Sequence, residues 1–360
     1  MLYSSSVRRL VMQRQYLERK ADRTEYNELF RLMSPVRTPY WCRPGSPPSL
    51  VHRASFVEYG HVFDMRSRRE IVKGRFQGGG IGYVYADELP LFASVYSKDR
   101  RKPSYEEFEI LELLLREGPM TIASIKEITG LLSKQITPVL HKLQKKFLVF
   151  EDQTDDEWDR AWYLFETEFP DIDLDEYEKE DTLKILVSRF AYLNVFIDTK
   201  MLKSYYQLPE NEFQTVFTRL FSEGFLQSVT IEDDEGFVLS EDIPLLEKET
   251  VPPVGVFVLD RNDFLVKSNE TRLSEKFNSE KYSFRHTHTK PTMMQFILVD
   301  GEFRGYTAGY FRIRPNILED VFLDLEESEA INRKEEILEA VRLVNDPELT
   351  PVKKYCGKKV

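Results

Sequence analysis

Cysteine is nearly absent from this 360-residue chain, with Cys42 and Cys356 the only two. That excludes a disulfide framework and makes a reducing compartment, the cytoplasm, the expected location. No apolar run approaches the roughly 18 residues that a membrane-spanning helix needs, so no membrane partner is expected. The opening stretch from Met1 to Arg9 lacks the apolar core of a signal peptide. Histidine is scarce as well, at five residues. The close pair His286-x-His288 has no third ligand beside it, so a polar strand or loop is the better reading than a metal site. No Ser/His/Asp order and no Cys/His pairing with catalytic context occurs. No metal or cofactor is expected.

Charge is plentiful, and its distribution is uneven. The net charge is −11, yet residues 1–150 hold 25 Lys and Arg against 16 Asp and Glu. The remaining 210 residues hold 25 basic and 45 acidic side chains. Such asymmetry points to a basic face for a polyanion and an acidic remainder, the plainer alternative being an ordinary solvated acidic surface.

Apolar periodicity predicts a basic helix over 7–32, with Arg8, Arg9, Arg14, Arg19, Lys20 and Arg23, stopped by Pro35 and Pro39. A Pro-rich loop over 43–49 follows. Residues 69–76 and 81–86 then read as strands joined across Gln77-Gly78-Gly79-Gly80. A phosphate-binding P-loop is a poor reading there, because no Gly-Lys-Ser/Thr follows and no helix is signalled. His52-Arg53 could touch a phosphate or cap the fold. Tyr40-Trp41 could stack on an extruded base, although aromatic pairs are more often core.

From Ser104 the pattern sharpens into helices over 105–116, 121–129 and 133–147, the second capped by Thr121 and ended by Gly130, the third capped by Ser133. Strands at 148–151 and 161–165 flank an acidic turn, Asp155-Asp156-Glu157. Three helices and a hairpin are the winged-helix order, in which the later helix of the helix-turn-helix enters the major groove. That helix carries Lys134, Gln135, Thr137, His141, Lys142, Lys145 and Lys146 and no acid. Lysines answer phosphates, and Gln and Thr reach base edges or backbone oxygens; a solvated amphipathic face is the plainer alternative. A second copy is predicted over 181–191, 198–206 and 209–223, with a hairpin at 224–239. Its last helix opens on Glu210 and Glu212, which suits packing better than phosphate.

Strands are predicted at 256–259, 264–266, 293–299, 305–313 and 321–325, with Asp300-Gly301 a hairpin turn. An amphipathic helix over 326–344 and a loose basic tail follow. The fold class is therefore α+β: tandem winged-helix units, then a small C-terminal β-barrel and a terminal helix. The expected domains are a divergent winged-helix-like 1–102, winged helices at 103–170 and 171–250, a barrel at 251–327, and a helix and tail at 328–360.

These residues resemble the winged-helix DNA glycosylases of the YcaQ/AlkZ type. The resemblance is carried by Gly118-Pro119-Met120-Thr121-Ile122, by Gly130 through Leu140, by Glu151-Asp152-Gln153 and by Trp158 through Tyr163. Val258 through Leu265 and Val299 through Gly305 carry it further, so that it covers roughly 7–345. It implies a DNA substrate and excision of alkylated or crosslinked bases, using a Gln-x-Gln or Gln-x-Asp motif that positions the attacking water. The matching place is Val36-Arg37-Thr38-Pro39, where neither Arg37 nor Pro39 fits. Gln13-Arg14-Gln15 spells the motif but lies too early. The family's Arg-Gly-Thr-Leu-His run is replaced by Gly78-Gly79-Gly80-Ile81-Gly82. Another carboxylate (Glu58, Asp64 or Asp87) could substitute, but the spacing selects none.

Three functions follow. The leading one is a double-stranded-DNA-binding protein of this repair family without the usual motif, contacting DNA through the 134–146 residues with Arg8, Arg14 and Arg53. The others are an active, divergent glycosylase and a winged-helix protein-interaction module.

Overall fold

The computed structural model describes residues 2–43, 45–97, 103–152, 159–312 and 315–360. Two helices, α1 (Ser4–Arg14) and α2 (Arg23–Met33), stand where the periodicity predicts one. The break has local causes. Tyr16 adopts a left-handed φ of 55°, the Ala21 N–H is taken by the Arg53 carbonyl at 2.7 Å, and Asp22 with Glu25 forms a reciprocal capping box that starts a new helix. Helix α3 (Glu58–Ser67), the antiparallel hairpin of β1 (Ile71–Phe76) and β2 (Gly80–Tyr85), and α4 (Leu89–Tyr96) complete the first region.

The next region runs α5 (Tyr105–Glu117), β3 (Met120–Thr121), α6 (Ile122–Thr129), α7 (Ser133–Lys145), β4 (Val149–Asp152), β5 (Ala161–Leu164) and a short α8 (Phe165–Glu168). Ser104 and Glu107 cap α5 reciprocally, Thr121 accepts the Ser124 N–H, and left-handed Gly130 ends α6. The residue preceding α7 is Leu132 rather than the expected Ser133, and Gln135 Oε1 turns back to accept the Leu132 N–H at 3.0 Å. Strand β5 lies between β3 and β4. Ile110, Leu114, Ile125, Ile136, Leu140, Leu143 and Trp162 form a core belonging to this region alone. The acidic turn over 155–157, together with Gln153 and Trp158 of the family resemblance, lies outside the described residues.

The order of three helices and a hairpin recurs in α9 (Lys179–Asn194), α10 (Thr199–Tyr206), α11 (Glu210–Ser222), β6 (Leu226–Ile231) and β7 (Asp234–Leu239), followed by α12 (Ile243–Leu246). This copy has a small cluster of its own, Val195, Phe196, Ile231, Val238 and Leu246, and shares the rest of its core. Its Phe190, Tyr206 and Phe213 share one cluster with Tyr26, Phe30 and Phe92 of the first region.

The C-terminal region holds β8 (Val256–Asp260), α13 (Phe264–Ser268), α14 (Glu270–Lys276), β9 (Thr292–Val299), β10 (Glu302–Tyr310), β11 (Ile317–Leu323), α15 (Glu327–Asn332), α16 (Lys334–Val344), β12 (Lys354–Tyr355) and β13 (Lys358–Lys359). Several expectations are corrected here. The expected barrel is, among the described residues, an open six-stranded sheet of order β13-β12-β11-β10-β9-β8, with β8 and β13 at its two edges. The strand predicted at 264–266 is helix α13, because Asp263 Oδ1 accepts the Leu265 N–H at 2.9 Å and caps it. The terminal helix is two helices, and the tail expected to be loose joins the sheet. There Tyr355 pairs with Val321, and its buried hydroxyl donates to the Ala330 carbonyl at 2.7 Å. Asp300 and Gly301, at φ 52° and 80°, form the predicted turn between β9 and β10. Helix α1 is sandwiched: Val7 and Leu10 face Val195, Ile231 and Leu246, while Met12 packs with Leu298 and Tyr306. No described helix is long and apolar enough to cross a membrane.

Candidate nucleic-acid interface

Helix α7 buries Ile136, Leu140, Leu143 and the polar Gln144. Lys134, Gln135 and Lys142 are exposed, and Thr137, His141, Lys145 and Lys146 are half-buried. These residues are not equivalent. Lys146 Nζ lies 2.7 Å from Glu107 on α5, with only 14% of its side chain exposed. His141 Nε2 sits 2.9 Å from Arg75 Nη2; arginine only donates, so the ring nitrogen accepts and the imidazole is neutral. Burial, then the Arg75 charge, hold the His141 pKa below its ordinary value. Lys134, Lys142 and Lys145 have no ion pair among the described residues.

The β1–β2 hairpin brings two further cations to the same place. Arg75 of β1 donates through Nε to Gln144 Oε1 at 2.8 Å and through Nη1 to the Gly79 carbonyl at 3.2 Å. Arg37 comes from the segment after α2, which is clamped to β2 by the reciprocal backbone bonds of Val36 and Tyr83 at 2.9 and 2.8 Å. Its Nε donates to Gln77 Oε1 at 2.7 Å, and its Nη2 lies 3.4 Å from the Gln77 carbonyl. The turn between the strands has left-handed φ at Gln77, Gly78 and Gly79, and its missing side chains leave room for both neighbours. A Cβ on Gly79 would meet Lys145 Cε at 3.5 Å, and one on Gly80 would meet Arg37 Nη2 at 3.1 Å. Burial pulls the pKa of both arginines down, but both remain cations.

Residues of the C-terminal region adjoin the 36–40 segment. Asn262 Nδ2 donates to the Thr38 carbonyl at 2.9 Å. Asp260 Oδ1 accepts the Tyr40 N–H at 2.9 Å and the Asn262 N–H at 2.7 Å. Burial outweighs these two bonds and pushes the Asp260 carboxyl from 3.8 up to about 6. Lys267 Nζ pairs with Glu270 at 3.0 Å. Residues 49–309 match the family described as DNA glycosylase AlkZ-like. The chain belongs to this family.

The AlkZ-like match begins downstream of Arg37 and Pro39 and includes the hairpin, α7 and the first three long strands of the terminal sheet. Among solved structures, the Streptomyces sahachiroi DNA glycosylase AlkZ is similar with a TM-score of 0.68 and 15% identity, covering 98% of this chain and 99% of that one. That likeness concerns the fold. No curated protein matches the chain.

The other residues singled out by the sequence are spread through this AlkZ-like fold. Arg8 pairs with Glu302. Arg14 is bidentate to Asp242 at 2.7 and 2.5 Å. Arg53 is fully buried, bound to Asp263 at 2.6 Å and to Gln15 Oε1 at 3.1 Å. These three arginines hold elements together and do not join the cations around α7; Arg53 in particular has no exposed donor for a phosphate. Gln13 is exposed and Gln15 buried, so the early Gln-x-Gln does not converge on one cleft. Glu58 accepts from the Tyr26 hydroxyl, from Ser49 Oγ at 2.6 Å and from the Leu50 N–H. Asp87 is bound by Arg31 at 3.0 Å, and Asp64 lies exposed on α3. Tyr40 and Trp41 join His286, His288 and Phe311 in an aromatic cluster, with the Trp41 and His286 rings 4.8 Å apart. Sequence reasoning missed Arg75, Gln77, Asp260 and Asn262 as neighbours of the site. Arg75 carried a signal as a cation within a predicted strand, Gln77 as part of the predicted turn, and Asp260 and Asn262 as part of the stretch that carries the family resemblance.

Proposed function

We propose that this AlkZ-like chain binds double-stranded DNA through the exposed face of α7 and the adjoining β1–β2 turn. In this reading α5–β5 and α9–β7 are winged helices, the first region is a divergent third unit, and α7 is the helix presented to the duplex. The observation that carries it is that Lys145, Arg37 and Arg75 border the β1–β2 turn while Lys134 and Lys142 stand exposed on the same helix, none of the five in an ion pair among the described residues, in a chain of net charge −11. Cations left unpaired on one surface of an acidic protein suit phosphate contacts.

Binding rather than base excision is the activity proposed. Aiming a water at a glycosidic carbon needs a hydrogen-bond acceptor or base. At the motif position Arg37 offers donors only and Pro39 offers no polar side chain. Of the alternative carboxylates, Glu58 and Asp87 are engaged by other donors.

The test is titration of a labelled duplex across a range of salt concentrations. For Lys134→Ala/Lys142→Ala/Lys145→Ala the slope of log affinity against log salt is expected to fall by about 2 to 3, one step of about 0.9 per lost phosphate contact. An unchanged slope and affinity would reject the interface. Incubation of the wild-type protein with alkylated or crosslinked duplex is expected to release no base. Base release would reassign the chain as a divergent glycosylase.

A further inference from the structure

We infer that the Gly79–Gly80 turn is an oxyanion site, held by Arg37, Arg75 and Lys145, that takes one backbone phosphate of bound DNA. The inference rests on the DNA-binding reading and goes further, by locating a deep phosphate contact beside the 36–39 segment rather than on the outer face of α7.

Three cations border two consecutive residues of the turn. Arg75 Nη1 reaches the Gly79 carbonyl at 3.2 Å. Lys145 Nζ stands 3.7 Å from the position of a Gly79 Cβ, and Arg37 Nη2 stands 3.1 Å from that of Gly80. Among the described residues the hydrogen-bond partners of the two arginines are neutral: Gln77, Gln144, His141 and the main-chain carbonyls of Gln77 and Gly79. The nearby carboxylates bond to other cations and reach Arg37 and Arg75 only through space, Glu270 acting on the first and Glu151 on the second. Glu151 is shared by Lys73 at 3.1 Å and Arg160 at 2.6 Å, and Glu270 pairs with Lys267 at 3.0 Å.

The chemistry suits a phosphate oxygen, since the guanidinium N–H groups not given to these neutral partners and the Lys145 ammonium supply donors and full charge. The absence of a Gly-Lys-Ser/Thr run hides such a site from sequence, because here the cations come from three other segments. Glycine at 80 has a specific part in it. A methyl there would stand 3.1 Å from Arg37 Nη2 and make the guanidinium give by a few tenths of an ångström.

The experiment uses the full chain, with Arg37→Gln, Gly80→Ala and Lys134→Ala/Lys142→Ala compared on one labelled duplex over a salt series. A thermal-shift arm compares inorganic phosphate with chloride at matched ionic strength. Arg37→Gln is expected to lower the salt slope by about one and the affinity about three- to tenfold. Gly80→Ala keeps the charge and is expected to lose affinity with little change in slope. Inorganic phosphate is expected to raise the melting temperature of the wild type more than that of Arg37→Gln.

If Arg37→Gln and Gly80→Ala bind as the wild type does while Lys134→Ala/Lys142→Ala binds more weakly, the oxyanion site is overturned and the DNA-binding reading stands. If the wild type shows no salt-dependent duplex binding yet phosphate stabilises it and not Arg37→Gln, a free anion is the ligand. The backbone-phosphate assignment and the DNA-binding reading then both fall. Absence of both effects overturns both.

Discussion

Replacing Asp260 with asparagine is expected to make the protein more stable at neutral pH, and the size of the gain follows from its surroundings. The carboxyl sits between the 36–40 segment and the terminal sheet, where burial carries it from 3.8 to about 6. Below about pH 4 it is protonated in folded and unfolded chains alike and costs nothing. Between about pH 4 and 6 the unfolded chain ionises first, so stability drains away as pH rises. Above about pH 6 the penalty is complete. Two pH units correspond to about 3 kcal/mol at 1.36 kcal/mol each, and the residual contact of Asp260 with water reduces the expectation to about 2 kcal/mol. Asparagine keeps the Oδ1 acceptor for the Tyr40 and Asn262 N–H groups, which bind at 2.9 and 2.7 Å. The assay is urea unfolding of wild type and Asp260→Asn at several values between pH 4 and 7.5. The stability difference should be small at pH 4 and grow to about 2 kcal/mol in favour of asparagine by pH 7. A difference that stays flat across this window, or a less stable variant at pH 7, would refute the reasoning.

Other substitutions probe the frame around the site. Arg53→Met strands the carboxylate of Asp263, whose side chain is 5% exposed. It should cost about 3–5 kcal/mol in urea unfolding, with part recovered by adding Asp263→Asn. Two glycines should respond with opposite signs in thermal melts. Gly309→Ala would drive its Cβ into the Ile317 carbonyl across β10 and β11 and should cost at least about 2 kcal/mol. Gly60→Ala on α3 has nothing within 4 Å of the new methyl and should gain about 0.5–1 kcal/mol.

The α5-to-β5 region was legible because its evidence is local. Ser104, Thr121 and Gly130 cap its helices, and its core comes from residues lying between Ile110 and Leu164. The sheet of the C-terminal region was less so. A short apolar run such as Phe264-Leu265-Val266 suits strand or helix equally, and only the Asp263 cap decides between them. Nor does strand content distinguish a closed barrel from an open sheet, since closure depends on whether the two edge strands find each other.

The amino-acid sequence by itself determined the periodicities, caps and turns of the individual elements, the family resemblance, and the presence of a helix rich in lysine and free of acid. Periods and caps act over a few residues, which is why they can be read in order along the chain. The tertiary structure alone decided which cations remain available. Lys146 is claimed by Glu107 from 39 positions away, and Arg53 by Asp263 from 210. Arg37 and Lys145 are brought to adjacent glycines of one turn. A charge's availability depends on what the folded chain places within hydrogen-bonding distance, and that is a property of long-range packing.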